Sequence, residues 1–265
     1  MSFNFDHDYH IHSKISSCSN DPEQTCERIL QYANENGLKK ICLTDHYWDS
    51  AVPGASNWYQ PQNYEHIAAA KPLPSAEGIE FLFGCETDID KLFTLGITKE
   101  RFDDFDLVLI PTTHLHMHGF TISEEDINSN QRRAELWVER FEKLLDMDLP
   151  FHKVGIAHLT CILLNKKTRE DFLDTLSRIS DDDMKRLFKK AASLGCGIEL
   201  NQYDMAFKDS EEDVVLRPYK IAKECGCKFY FGSDAHHPGD FKHAKERFEK
   251  AAMLLGLTED DKFII

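Results

Sequence analysis

The chain has 265 residues, of which 42% are hydrophobic and 29% charged, and a net charge of -15. That length suits one substantial core, and an acidic field with no Lys/Arg stripe argues against long nucleic acid as a partner. No basic, apolar leader opens the sequence and no segment is apolar enough to span a bilayer, so a cytoplasmic protein without a membrane partner is expected. The eight cysteines include no CxxC pair, and several lie inside apolar runs, which reads as reduced thiols rather than a disulfide framework.

The first strand is predicted around Phe5 to His10, and it leads into His12. Alternate residues of an extended strand point the same way, so His10 and His12 can aim at one metal ion while Ile11 faces the other side. Thr25 to Asn36 reads as a helix, with Ile29, Leu30 and Ala33 on one face and Gly37 as its stop. Lys40 to Thr44 is the second strand, followed at once by Asp45-His46. The next stretch, Tyr47 to Gln62, is rich in Trp, Pro, Gly, Ser and Asn and reads as a loop over the open face. A third strand, Glu80 to Cys85, ends at Glu86.

The fourth strand, Leu107 to Thr112, leads to His114, His116 and His118. His114, nearest the strand end, is the preferred ligand and His116 its alternative. The polar connection from His116 to Asn130 reads as a second wall of the pocket. Arg132 to Met147 is predicted as a helix, Val154 to Ala157 as a strand ending at His158, and Asp181 to Leu194 as a helix stopped by Gly195. Strands at Gly197 to Leu200 and Lys228 to Gly232 follow. The last of these precedes Ser233-Asp234-Ala235-His236, and Phe241 to Leu255 closes the series as a helix.

Strand and helix alternate, the pattern of parallel α/β architecture. No internal repeat or linker divides the chain, so one domain over 1–265 is expected. In a barrel of parallel strands all the C-terminal strand ends open on one face, where residues distant in sequence converge. Each motif has a plain reading by itself: a surface or core histidine, a capping Asp, a solvated Glu86. Imidazoles or carboxylates at the ends of six separate segments point instead to a polynuclear metal site.

The ordered set Asp8-Tyr9-His10-Ile11-His12, Thr44-Asp45-His46, His158 and Ser233-Asp234-Ala235-His236 resembles the polymerase and histidinol phosphatase (PHP) family of metal-dependent phosphoesterases. Glu86 and His114 stand at the intervening ligand positions. The resemblance implies a distorted seven-stranded (β/α)7, TIM-like barrel holding two or three divalent ions of zinc, manganese or iron. It implies that His10, His12, Glu86 and Asp234 hold one ion, Glu86, His114 and His158 a second, and His46 with His236 a third. Cys18 replaces a histidine frequent in relatives, and its thiolate is a candidate ligand for that third ion.

The expected activity is hydrolysis of a small phosphate ester by a metal-bridged hydroxide, from two ions about 3.5 to 4 Å apart. Glu86 and Asp234 are the central carboxylates. Asp234 or polarised water gives the leaving group its proton, and Asp45 orients a ligand histidine. His237, Arg217, Arg132 and Arg133 are candidates to contact substrate, with exposed helix surface the favoured reading for the three arginines. Histidinol-phosphate phosphatase is a narrower alternative, weakened by Glu199-Leu200-Asn201-Gln202-Tyr203 and His236-His237-Pro238 where arginines would grip phosphate. A catalytically silent metal-binding PHP module is another. Hydrolysis of a carbon-nitrogen bond is disfavoured because no strand-end lysine offers a carboxylated bridge. The oligomeric state is not readable from the sequence.

Overall fold

In the computed structural model, which describes residues 2–265, the short apolar runs form nine strands. They are β1 (His7–Ile11), β2 (Lys40–Leu43), β3 (His46–Tyr47), β4 (Glu80–Phe83), β5 (Cys85–Thr87), β6 (Val108–Pro111), β7 (Val154–Ala157), β8 (Gly197–Asn201) and β9 (Lys228–Gly232). One sheet runs β1-β2-β4, the other β3-β5-β6-β7-β8-β9, and every paired neighbour is parallel. The fold is therefore α/β with parallel sheets.

The strand count departs from the predicted seven at two breaks. β3 continues β2 after Thr44-Asp45, and β5 continues β4 after Gly84. Backbone bonds bridge the breaks, from Gly84 N–H to the Leu43 carbonyl at 2.8 Å and from Glu86 N–H to the Asp45 carbonyl at 3.1 Å. Gly84 is required by crowding, because a Cβ there would stand 2.5 Å from the Leu107 carbonyl oxygen. The segment after β9 binds the end of β1: Asp234 N–H donates to the His10 carbonyl at 2.7 Å, and His12 N–H to the Ala235 carbonyl at 3.0 Å. The first and last predicted ligand motifs are thus stitched together. A small apolar cluster of Tyr9, Cys42, Leu107, Leu109, Ala157, Tyr230 and Phe263 draws on β1, β2, β6, β7 and β9, so strands remote in sheet order meet over one interior.

The helices are α1 (Cys26–Asn36), α2 (Tyr64–Ile67), α3 (Asn130–Leu145), α4 (Arg169–Ser177), α5 (Asp181–Leu194), α6 (Glu212–Glu224) and α7 (Ala244–Leu255). Thr25 caps α1 by accepting from Arg28 N–H, and Gly37 ends it at φ 68°. Ser180 caps α5, whose first turn carries three aspartates facing the positive end of the helix dipole. Helices α2, α4 and α6 were not predicted. Helix α6 contains Pro218, which ordinarily breaks a helix, yet Val215, Leu216, Tyr219 and Ala222 are buried, and that burial holds it. Among the described residues no helix is long and apolar enough to cross a membrane. Cys42, Cys85, Cys196 and Cys227 are buried and the other four cysteines half-buried.

Candidate metal centre

The strand ends carry their polar residues to one cluster. Glu86, in β5 and 1% exposed, is its centre. Its Oε2 lies 3.4 Å from His10 Nε2, 3.2 Å from His12 Nε2 and 3.2 Å from His46 Nδ1. Its Oε1 lies 3.1 Å from His158 Nε2 and 3.9 Å from His114 Nε2. Asp234 faces the same space, with Oδ1 3.5 Å from His10 Nε2 and 3.3 Å from His12 Nε2. His236 stacks on His12, and its Nδ1 is 2.7 Å from the Asp234 carbonyl.

Two of these residues sit in the left-handed backbone region, His158 at φ 35° and Asp234 at φ 52°. That conformation costs a non-glycine residue roughly 1–3 kcal/mol and collects at functional sites. Here it is held by short bonds: His158 N–H donates to Glu199 Oε2 at 2.7 Å, and Asp234 N–H to His10 as described above.

Electrostatics within the cluster are strongly coupled. Burial alone would raise the Glu86 pKa, but the charges of His46 and His10 and hydrogen bonds from His10 and His12 hold it well below the usual carboxylate range. Asp234 is likewise pulled down against its burial by His10 and His236. Burial would lower His158, but the adjoining Glu86 carboxylate lifts it to about 9. His46, where burial dominates, is pushed well below its ordinary value.

The donor set fits divalent transition metals. His10 Nε2 and His12 Nε2 are 3.1 Å apart and face the same two carboxylates, a convergence that a shared cation satisfies. Glu86 Oε1 is buried with no hydrogen-bond partner, an orphaned acceptor aimed among imidazoles. Three overlapping groups have ligand atoms all within 4.8 Å of one another: His10, His12 and Asp234; His10, Glu86 and His158; and His12, Cys18, His46 and His236.

The cluster floors a cavity of about 490 Å³. Both predicted wall loops contribute to it, Trp58 and Tyr59 from one and Met117 and Phe120 from the other. Trp58 stands edge-on to His46 with ring centroids 4.9 Å apart.

The PHP domain family model matches residues 8–203, from the first motif through Glu199. The chain belongs to the PHP domain family. Asp234 and His236 lie beyond the matched span and join the site through the backbone bonds to β1. The chain is similar to probable phosphatases of Thermoanaerobacter sp. (strain X514) and Thermoanaerobacter pseudethanolicus (strain ATCC 33223 / 39E). Each is 29% identical over 265 residues, spanning 96% of this chain and 87% of the relative. Its fold is similar to the crystal structure of a histidinol phosphate phosphatase from Lactococcus lactis subsp. lactis Il1403, complexed with zinc, L-histidinol and phosphate. The TM-score is 0.64 at 17% identity, covering 98% of this chain and 99% of that one. Family membership and the phosphatase relatives support a phosphoesterase, a hydrolase of phosphate esters.

The other predicted residues divide between the cavity and the rest of the molecule. Among the described residues Asp45 accepts from no imidazole: its carboxylate accepts from Ser13 N–H and Ser13 Oγ, both at 2.7 Å, and so pins the turn after His12. Arg132 is bound to Glu139 and Arg217 donates to the Leu176 and Ile179 carbonyls, and neither lines the cavity. His237 caps a short 3-10 turn by accepting from Gly239 N–H and is also outside the lining. His116 lines the cavity beside His114, with its Nδ1 unpartnered. The Cys18 thiol also lines it and lies 3.3 Å from Ser16 Oγ.

Sequence reading missed two orienting carboxylates. Glu199 in β8 is fully buried and 2.6 Å from His10 Nδ1, and Asp88 is 2.8 Å from His114 Nδ1. Each fixes its ring so that the other nitrogen faces Glu86. The available signals were an acid flanked by Ile198 and Leu200 in a buried strand, and an acid two residues beyond Glu86 on the same face.

Gly232 tests the first of these carboxylates. A Cβ at Gly232 would stand 1.9 Å from Glu199 Oε1 and 2.7 Å from the His10 Cβ. Gly232→Ala is expected to displace Glu199 from His10 and weaken metal binding about 10- to 100-fold, the usual cost of losing such a partner. Calorimetric titration with zinc checks this, and unchanged affinity would remove Glu199 from the site's support.

Proposed function

We propose that the protein hydrolyses a small phosphate ester at a metal centre of two or three divalent ions, zinc, manganese or iron. The observation that carries the reading is the convergence of five imidazoles within 3.9 Å of the Glu86 carboxylate, with Asp234 beside them. The nine strands then act as seven, β2 with β3 and β4 with β5 each counting as one, and the bonds from the end of β9 to β1 support a closed, distorted barrel. One PHP domain over 1–265 is part of the same proposal.

His10, His12, Glu86 and Asp234 would hold one ion, Glu86, His114 and His158 another, and His46, His236 and Cys18 a third. Divalent ions bound there would acidify water to a hydroxide nucleophile at neutral pH and neutralise developing charge on phosphoryl oxygens. The protein's own groups prepare that chemistry. Glu199 and Asp88 fix the tautomers of His10 and His114. Asp45 holds the turn that follows His12. Trp58, Tyr59, Met117 and Phe120 exclude water from one side of the pocket. Asp234, kept ionised by its neighbours, serves as a ligand, and the leaving alkoxide draws its proton from solvent.

A panel of phosphate esters, histidinol phosphate among them, assayed with added manganese or zinc tests the reading. Turnover of at least one small ester supports it, and metal-loaded protein inert to the whole panel would leave the silent metal-binding module. The third site has its own test. Cys18→Ser is expected to lower bound metal by one equivalent per chain. Unchanged stoichiometry with a lowered melting temperature would make Cys18 a packing residue.

A further inference from the structure

The metal cavity has a neighbour of different character. A second cavity of about 400 Å³ shares His116 and His118 with it, and its far side carries Arg133, Lys166 and Lys167. Arg133 is 4% exposed and rigidly held: its Nε donates to the Ile127 carbonyl at 2.9 Å, and its Nη1 to the carbonyls of Leu115 and Leu164 at 2.7 and 2.8 Å. All three acceptors are neutral. The nearby helix arginines differ, since Arg132 pairs with Glu139 and Arg140 with Asp88. Among the described residues neither Arg133 nor the exposed Lys166 and Lys167 has a carboxylate within ion-pair distance, and Arg133 Nη2 has no protein partner.

Three cations without a direct ion-pair partner around one cavity are unexpected in a chain of net charge -15. Structural bonding of Arg133 to carbonyls accounts for that residue alone and leaves the two lysines unexplained. A locked guanidinium with a free N–H edge and two flanking ammonium groups is suited to a phosphate or carboxylate. We propose that this side cavity binds a second anionic group of the substrate, a phosphate or carboxylate remote from the ester that is cleaved. The proposal rests on the phosphatase reading of the metal centre. It narrows the substrate class to small phosphate esters with a second negative charge, reached past His116 and His118.

The test uses metal-loaded protein and alkylphosphonates of graded chain length, ending in either carboxylate or methyl, with dissociation constants from calorimetry. At the best length the carboxylate compound is expected to bind about tenfold more tightly than its methyl partner, a difference reached by a charge-assisted contact. In Lys166→Ala/Lys167→Ala that ratio is expected to collapse toward one. Both lysines are exposed and unpaired, so their removal leaves the fold intact. Equal affinities at every length, or a preference that survives in the variant, would overturn the proposal. A second equivalent of inorganic phosphate bound by the wild type and lost in the variant, together with equal affinities of the paired phosphonates at every length, would assign the cavity to free phosphate and overturn it as well. The matching phosphate esters report the metal centre separately. Discrimination among phosphonates without turnover of any ester would defeat the phosphatase reading and leave the anion site standing, whereas turnover without discrimination would do the reverse.

Discussion

Glu86→Gln is expected to lower turnover of a phosphate ester by at least about a hundredfold and to reduce bound metal while the fold persists. The carboxylate is buried, and both its oxygens face imidazole nitrogens, three on one side and two on the other. An amide keeps the shape but loses the negative charge, and it turns a donor NH2 group toward nitrogens that must offer lone pairs to a metal. Turnover at saturating metal, metal per chain and circular dichroism together check the prediction. Activity within tenfold of wild type would show that Glu86 does not bridge the centre.

Arg140→Met is expected to destabilise the protein by about 3–5 kcal/mol, the usual cost of leaving one member of a buried ion pair without its partner. Arg140 is 1% exposed, and its Nη2 donates to Asp88 Oδ1 at 3.0 Å while its Nε donates to the Thr112 carbonyl at 3.1 Å. Methionine fills the space but leaves the Asp88 carboxylate buried, with His114 as its nearest polar contact. Urea denaturation of the metal-free protein measures the loss. Adding Asp88→Asn should recover part of it, because the stranded charge is then gone. A loss below about 1 kcal/mol would mean that water reaches Asp88 and that the pair is not a support of His114.

The candidate ligand residues were legible because each sits where a short apolar strand ends, and two-residue spacing such as His10 and His12 has a direct geometric meaning. What supports them was not. Glu199 and Asp88 look like ordinary acids in sequence, and only the pairing of distant strands brings them against His10 and His114. Arg133 and Arg140 lie on an amphipathic helix, where an arginine reads as exposed; both instead turn inward, their guanidinium groups bonding carbonyls from the loops and strand ends beside the site. Arg132 and Arg217 made the opposite error, since cations that suited phosphate were already committed to helix surface and turn carbonyls. The strand-forming segments were visible as apolar runs, but the breaks at Thr44-Asp45 and Gly84 that make nine strands of the predicted seven were not, because they follow from crowding between strands and from backbone bonding across the gap. Helix α6 was hidden by Pro218, whose local cost is outweighed by the apolar face around it.

Metal binding by this cluster of histidines and carboxylates, and its use in phosphate-ester hydrolysis, can be read in one experiment: the protein is stripped with a chelator and manganese or zinc is titrated back while bound ions and 4-nitrophenyl phosphate turnover are followed together. The expected result is background turnover in the stripped protein and a rise that follows occupancy to a plateau at two or three ions per chain. Turnover that survives complete removal of metal, or full occupancy with no turnover of this or any other phosphate ester, would contradict it.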